Sequence, residues 1–394
     1  MSASTCSKSP LKVGILVHAS QEHMRQVALG VVHYTQVNSK WQVEGDGFHP
    51  LVPWNRLKQW DGDGLVAIVN TREQLKTLID LDVPFVLAGS RIIDNRYPVV
   101  ASDNVAIGRI AAEHLIECGF RRLVFLGQTI WDDERQRLEG FQESVQKRGI
   151  DFCFSDMRLE EYFVRDSSAH YRINIEKLVA RLAEFEPPFA VFCPNSVIAR
   201  GLIKACNIGD WNIPDEVGII GVNDDPLECE SISPSISTVA QQSRLIGFRA
   251  CQLLNEIFKK NRKNEQIFLD PQGVVARRST DVLLVGDQNV EKAMRFIRDH
   301  VQQGIGIEEV VAAVGISRRS LEIKFRQCLN RTPLSELNRV RIAKARELLR
   351  YTDNSITSIA LGSGFGSSQS FCVAFKKASG CSPTEFRASH SKFD

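Results

Sequence analysis

Residues 355–387 read SITSIALGSGFGSSQSFCVAFKKASGCSPTEFR. Ile356, Ile359 and Ala360 recur at helical spacing, Gly362, Gly364 and Gly366 interrupt, and Phe371, Ala374, Phe375 and Ala378 resume the same period. Two short amphipathic helices joined by a glycine-containing turn, a helix-turn-helix, are therefore predicted. The second would carry Ser368, Gln369, Cys372, Val373 and Lys376 opposite its phenylalanines. Such a small, polar, partly basic face is of the kind a DNA major groove accepts. Ser382-Pro383-Thr384-Glu385 then predicts a further helix, with serine as N-cap, proline first and glutamate three residues on.

The unit occurs twice. Ile307, Val310, Val311 and Gly315 match Ile356, Ile359, Ala360 and Gly364 at an offset of 49, and one added turn residue makes the offset 50 for Leu321, Phe325 and Thr332-Pro333. Between the copies, Leu334 to Tyr351 lacks glycine and proline and predicts one helix. At 1.5 Å per residue it spans about 27 Å, near the roughly 34 Å between successive major-groove faces of B-DNA. Ile359-Ala360, Gly364-Phe365, Phe371, Phe375-Lys376-Lys377, Gly380 and Ser382-Pro383 to Arg387 together resemble the DNA-binding domain of the AraC/XylS regulators.

Composition is consistent with that assignment. The 394 residues carry a net charge of only +2, yet positions 286–394 hold 17 Lys and Arg against 11 Asp and Glu. The positive charge lies where phosphate would be met. Ten cysteines form no Cys-x-x-Cys pair and eight histidines no metal-binding spacing, so neither metal nor cofactor is expected. Cys118, Cys193, Cys206 and Cys251 lie among apolar residues and are expected as reduced core residues of a cytoplasmic protein. The polar first ten residues and the lack of any long apolar run argue against secretion and against a membrane span.

From Leu11 onward, apolar runs at Val13–Val17, Leu65–Val69, Phe85–Ala88, Leu123–Leu126, Ala190–Cys193 and Val217–Val222 alternate with amphipathic stretches. This predicts α/β architecture in two lobes of doubly wound parallel sheet, followed by the all-α pair of helix-turn-helix units. Ligands of such sheets lie beyond the strand ends. Polar residues there include His18 to Ser20, Ser102 to Asn104 and Trp131 to Arg137, with Trp131 offering an apolar face to a sugar ring. Asp103 and Asn195 also precede helices, where a capping role alone would account for them.

Ala101 to Gly108, Arg135 to Phe141, Gly221 to Asp225 and Ser237 to Gln241 resemble the effector domain of LacI/GalR-type repressors, related to periplasmic sugar-binding proteins. By that resemblance Arg25, Asp103, Arg137, Asn195, Asn223, Asp224 and Gln241 belong to an effector site. Asn223 stands where many members carry Asp. The implied order is an effector domain at 11–281, a linker at 282–289 with Gly286 to Asn289 as its breaker, and a DNA-binding domain at 290–389. A LacI-type effector domain ahead of an AraC-type pair resembles the regulators of xylose operons. D-xylose, double-stranded DNA, a homodimer and, for an activator, RNA polymerase are the implied partners.

Base-reading candidates are Arg318, Arg319, Glu322, Ile323 and Arg326 in the first copy and Ser368, Gln369 and Val373 in the second, with Lys376 assigned to phosphate. A sugar receptor would leave the second half unexplained. An enzyme would leave both unexplained, since no Gly-x-Ser-x-Gly, P-loop or dinucleotide fingerprint is present.

Overall fold

The computed structural model describes residues 10–17, 21–38, 40–45, 51–156, 162–165, 171–259, 264–282, 287–329 and 331–390. The chain divides into two compact units, with the boundary between Asp281 and Val282.

The first unit holds two six-stranded sheets. One contains β1 (Leu11–Leu16), β2 (Trp41–Val43), β3 (Gly64–Ala67), β4 (Phe85–Ala88), β5 (Val99–Ser102) and β13 (Gln266–Leu269) in the order β13-β5-β4-β3-β1-β2, all parallel. The other contains β6 (Arg122–Gly127), β7 (Asp151–Asp156), β10 (Phe189–Phe192), β11 (Val217–Val222), β12 (Ser237–Ala240) and β14 (Gly273–Val275) in the order β14-β12-β11-β10-β6-β7, with only β14 antiparallel. β8 (Phe163–Arg165) and β9 (Tyr171–Ile173) form a separate hairpin. Central strands such as β11 are buried throughout, which is why they read as unbroken apolar runs. The chain passes between the sheets three times, at Asp103, at Gln241–Gln242 and at 270–272.

Helix packing fixes the elements that carry the cleft. α1 (Glu22–Val37) meets α8 (Ser243–Phe258) so closely that a Cβ on Gly30 would sit 2.0 Å from the Arg244 carbonyl oxygen. The other lobe repeats the device. α3 (Asn104–Glu117) meets α4 (Asp132–Lys147), where a Cβ on Gly140 would sit 1.9 Å from the Val105 carbonyl oxygen. α2 (Arg72–Ile79), α5 (Ile175–Leu182), α6 (Ser196–Ile208) and α7 (Pro226–Glu230) are further helices of the unit among the described residues. Cys193, Cys206 and Cys251 are buried as expected, and burial pushes the Cys206 thiol up to about 12. Cys118 is only half-buried, because it lies in the turn that follows α3.

The second unit is helical. α9 (Gln288–His300), α10 (Ile307–Val314), α11 (Arg318–Leu329), α12 (Pro333–Tyr351), α13 (Ile356–Gly362), α14 (Ser368–Ser379) and α15 (Pro383–His390) build two cores. Val290, Met294, Val310, Leu321, Phe325 and Leu337 form one, and Ile342, Leu349, Ile359, Phe371, Phe375 and Phe386 the other. α12 supplies residues to both. The linker expected at 282–289 is shorter than its bounds, because α9 begins at Gln288. Asp287 caps that helix, accepting the Asn289 and Val290 N–H groups at 2.9 and 3.2 Å. Residues 283–286 lie outside the described residues.

Candidate effector cleft and DNA-reading surface

Polar groups at the strand ends of the two sheets come together where the lobes meet, at the candidate cleft. Ser102, at the end of β5, donates to Gln241 Oε1 at 2.5 Å, and the Gln241 amide in turn donates to Asn223 Oδ1. One hydrogen-bonded chain thus passes from the first sheet through a crossover to the end of β11. Asn223 and Asp224 both have positive φ, at 95° and 54°, a conformation that costs of order 1–3 kcal/mol for a non-glycine residue and clusters at functional sites.

Arg137 projects from α4 and is buried. It donates to Asn104 Oδ1 at 3.0 Å and to the Pro194 carbonyl at 2.6 Å, and lies 3.6 Å from Asp133. Burial lowers its pKa, opposed by the charges of Asp133 and Glu134. Asp103 and Asn195 cap α3 and α6, each through its Oδ1, which accepts from Ala106 N–H at 2.8 Å and Ile198 N–H at 3.0 Å. Arg25 pairs with Glu22 at 2.8 Å and reaches to 4.0 Å from Asp225 in the opposite lobe.

Two sequence expectations are redirected by their neighbours. Asp224 accepts from Thr238 Oγ1 at 2.9 Å and pairs with Arg277 at 2.7 Å, so its carboxylate is held within the second lobe. Trp131 has Arg91 over its ring at 4.2 Å, so that face is covered by a guanidinium. His18, Ala19 and Ser20 lie outside the described residues.

Four further cleft groups come into view only in three dimensions. Arg91 of the first lobe pairs with Glu134 at the start of α4 in the second, and lies 3.7 Å from Asp133. The Glu134 side chain is 2 % exposed, and burial pushes its carboxyl up to about 7 against the opposing charge of Arg91. Asp133 Oδ1 is shielded from solvent and, among the described residues, accepts no hydrogen bond. His23 meets Ser243 Oγ through Nδ1 at 2.7 Å, and desolvation lowers its pKa to about 4, leaving a neutral imidazole. Asp133 and Glu134 fell within a polar stretch that the sequence marked. Arg91 and His23 had no local signal.

In the second unit the two turns are near copies. Gly315 and Gly364 share φ values of 83° and 84°, where only glycine is at ease. α11 buries Leu321 and Phe325 and exposes Arg319, Ile323 and Arg326. Arg318 is held by Glu322 at 3.1 Å and by Glu308 at 2.8 Å, so its charge is offset by two carboxylates. α14 buries Phe371 and Phe375 and exposes Gln369, Val373 and Lys376, with Ser368 half-buried. Ser382 and Glu385 cap α15 reciprocally, at 3.2 and 2.7 Å. Among the described residues no helix is long and apolar enough to cross a membrane.

Comparison with known proteins agrees with this division. Residues 112–280 match the periplasmic binding protein-like domain family and residues 310–389 a helix-turn-helix domain family. The chain is 30% identical to the xylose operon regulatory protein of Escherichia coli (strain K12), over 97% of this chain and 98% of that one. It is 27% identical to the Haemophilus influenzae protein of the same name, over 95% and 98%. A solved structure of the xylose-binding transcription activator xylR superposes with a TM-score of 0.61 at 28% identity, covering 97% of this chain and 99% of that chain. The periplasmic binding ribose operon repressor protein of Lactobacillus acidophilus shares the first unit's fold, with a TM-score of 0.53 at 19% identity, over 69% of this chain and 99% of that one. The chain accordingly belongs to the xylose operon regulatory protein family, and it is a sugar-responsive, DNA-binding transcription regulator rather than an enzyme.

Proposed function

We propose that residues 11–281 bind D-xylose, that residues 290–389 read two successive DNA elements, and that the sugar turns the protein into a transcription activator. The observation that carries this proposal is the cleft itself. Its paired amides and charges come from both lobes, so a polyol that replaces those pairings favours one arrangement of the lobes over another. Arg25, Asp103, Arg137, Asn195, Asn223 and Gln241 are the proposed sugar contacts, with Asp133 and His23 beside them. Asp224 supports the loop through Arg277.

Charge favours a neutral sugar over a phosphorylated one. Glu22, Asp103, Asp133, Glu134 and Asp225 outnumber Arg25, Arg91 and Arg137 around the cleft, and the nearby His23 is neutral. A phosphate would face net negative charge. Arg319, Arg326, Gln369, Ile323 and Val373 are the proposed base readers, Ser368 borders them, Arg318 and Glu322 act as a pair, and Lys376 takes phosphate. A homodimer in the cytoplasm that engages RNA polymerase completes the proposal.

The test is thermal unfolding against D-xylose, other free pentoses and hexoses, and a phosphorylated pentose, followed by DNA footprinting with and without any sugar that binds. A native-state ligand at about 100 times its Kd adds roughly 2.7 kcal/mol, enough to move the midpoint by a few degrees. A shift with D-xylose and a sugar-dependent footprint are expected. A shift only with the phosphorylated sugar, or a footprint indifferent to sugar, would overturn the assignment.

A further inference from the structure

The second helix-turn-helix turn does something that the first, its near copy, does not. Among the described residues a Cβ on Gly315 would have nothing within 4 Å, whereas a Cβ on Gly364 would sit 1.9 Å from the Val301 carbonyl oxygen and 3.5 Å from Arg341 Nε. The same backbone turn is open in one copy and seated against the other copy in the second. Arg341, on α12 between the two cores, occupies this seat. Its Nη2 donates to the Ile305 carbonyl at 2.7 Å, just ahead of α10, and its guanidinium lies 5.3 Å from the centre of the Phe365 ring. Phe365 packs on Phe371, the first inward residue of α14, at 5.3 Å. An unbroken path of contacts thus runs from the entry to the first helix-turn-helix to the second recognition helix, alongside the covalent link of α12.

We infer that Arg341 and Gly364 form a bracket that fixes the rotation and separation of α11 and α14, making Arg341 a positioning residue that restricts the protein to DNA elements at one spacing. A single connecting helix ties the two separate cores at one place only, about which the distal unit can bend and twist; the bracket supplies a second tie. The consequence lies in DNA register. Two added base pairs rotate the second element by about 70° and shift it by about 7 Å, beyond what a rigid pair of reading heads can follow.

The inference rests on the proposal that both units read DNA, and one experiment separates the two. Full-length wild type, Arg341→Met and Gly364→Ala are each used to select duplexes from a random-sequence library with D-xylose present, and the distance between enriched blocks is read by sequencing. Arg341→Met keeps an apolar stem and loses the donor, while Gly364→Ala forces the seat open, so the two variants attack the bracket by different routes. Wild type is expected to enrich two blocks at one spacing, and the variants the same blocks over about three or more spacings. On a duplex with two inserted base pairs, wild type should lose about thirtyfold in affinity, the worth of one or two base-reading contacts, and the variants about threefold or less. Variants that fold and retain the single wild-type spacing would overturn the bracket while sparing the two-unit proposal. Wild-type enrichment of one block or none would overturn both.

Discussion

Replacing Arg91 by alanine removes the cation beside a carboxyl that the fold has buried. Glu134 is 2 % exposed and keeps, after the substitution, the Gln128 N–H at 2.7 Å as a hydrogen-bond donor. Without Arg91 the carboxyl is held higher still and takes up a proton at pH 8, so the loss there should exceed the loss at low pH by at most about 1.4 kcal/mol, the worth of one pH unit above 7. The cost depends on pH with a definite sign. The Glu134 carboxyl is raised to about 7, from about 4.5 when unfolded, so its contribution to stability is fully present below about 4.5 and is lost as pH rises through about 7. At pH 5.5 the wild-type Glu134 carboxyl is already protonated and Arg91 keeps a hydrogen bond to it and the Asp133 carboxylate at 3.7 Å, so Arg91→Ala should cost only about 1 kcal/mol there. All five tryptophans precede residue 282, so tryptophan fluorescence during urea unfolding follows the first unit alone. The cycle of Arg91→Ala, Glu134→Gln and the double variant, run at both pH values, is the measurement. An equal cost at pH 8 and pH 5.5, or a double variant no more stable than Arg91→Ala at pH 8, would refute the reasoning.

His23 acts in the opposite sense: its lowered pKa means that stability is lost as pH falls from about 6.5 through about 4, a swing of about 3 kcal/mol that His23→Gln should abolish in acid unfolding of the first unit. In DNA binding, Gln369→Ala should relax sequence preference in the second element, whereas Lys376→Ala should weaken all sequences alike and lower the salt slope by about one, and equal losses on every DNA from both would contradict that division. Asp287 both caps α9 and pairs with Lys324 of α11. Asp287→Asn keeps the cap and should cost under about 1 kcal/mol in calorimetric unfolding, while Asp287→Ala loses the cap as well and should cost about 1–2 kcal/mol.

The helical unit was legible because its cores are made by residues close in sequence. Leu321 and Phe325, or Phe371 and Phe375, lie one turn apart on one helix, and burial of those faces is what periodicity reports. Central strands were legible for a related reason, since both faces of β10 and β11 are buried and the run is unbroken. Strands β2, β13 and β14 were not, because edge strands are partly exposed, short and without strict alternation. The cleft was half legible. Strand-end positions such as Asn223 and Gln241 follow from topology, but the pairing of Asp224 with Arg277, the cover that Arg91 places on Trp131 and the desolvation of His23 depend on residues some forty to two hundred and twenty positions apart. No local pattern encodes such juxtapositions.

That self-pairing of the cleft bears on how a sugar could act there. Gln241 is bonded at both ends of its amide, Arg137 donates to two acceptors and Arg25 already has a carboxylate partner. A hydroxyl that enters therefore exchanges one hydrogen bond for another, and each exchange gains only about 0.5–1.5 kcal/mol. A sugar with one hydroxyl misplaced leaves a desolvated group unpaired, at about 1–3 kcal/mol. The latter figure equals the usual coupling energy between an effector and the state it selects. On the proposed function, then, the groups that discriminate between sugars are also those that shift the lobes, and a sugar wrong at one hydroxyl can occupy the cleft without switching the protein. Titration of DNA affinity with D-xylose and with each of its single-centre epimers separates the two effects: epimers that raise the melting temperature should still fail to change DNA affinity, and an epimer that binds weakly yet switches fully would show that recognition and switching rest on different residues.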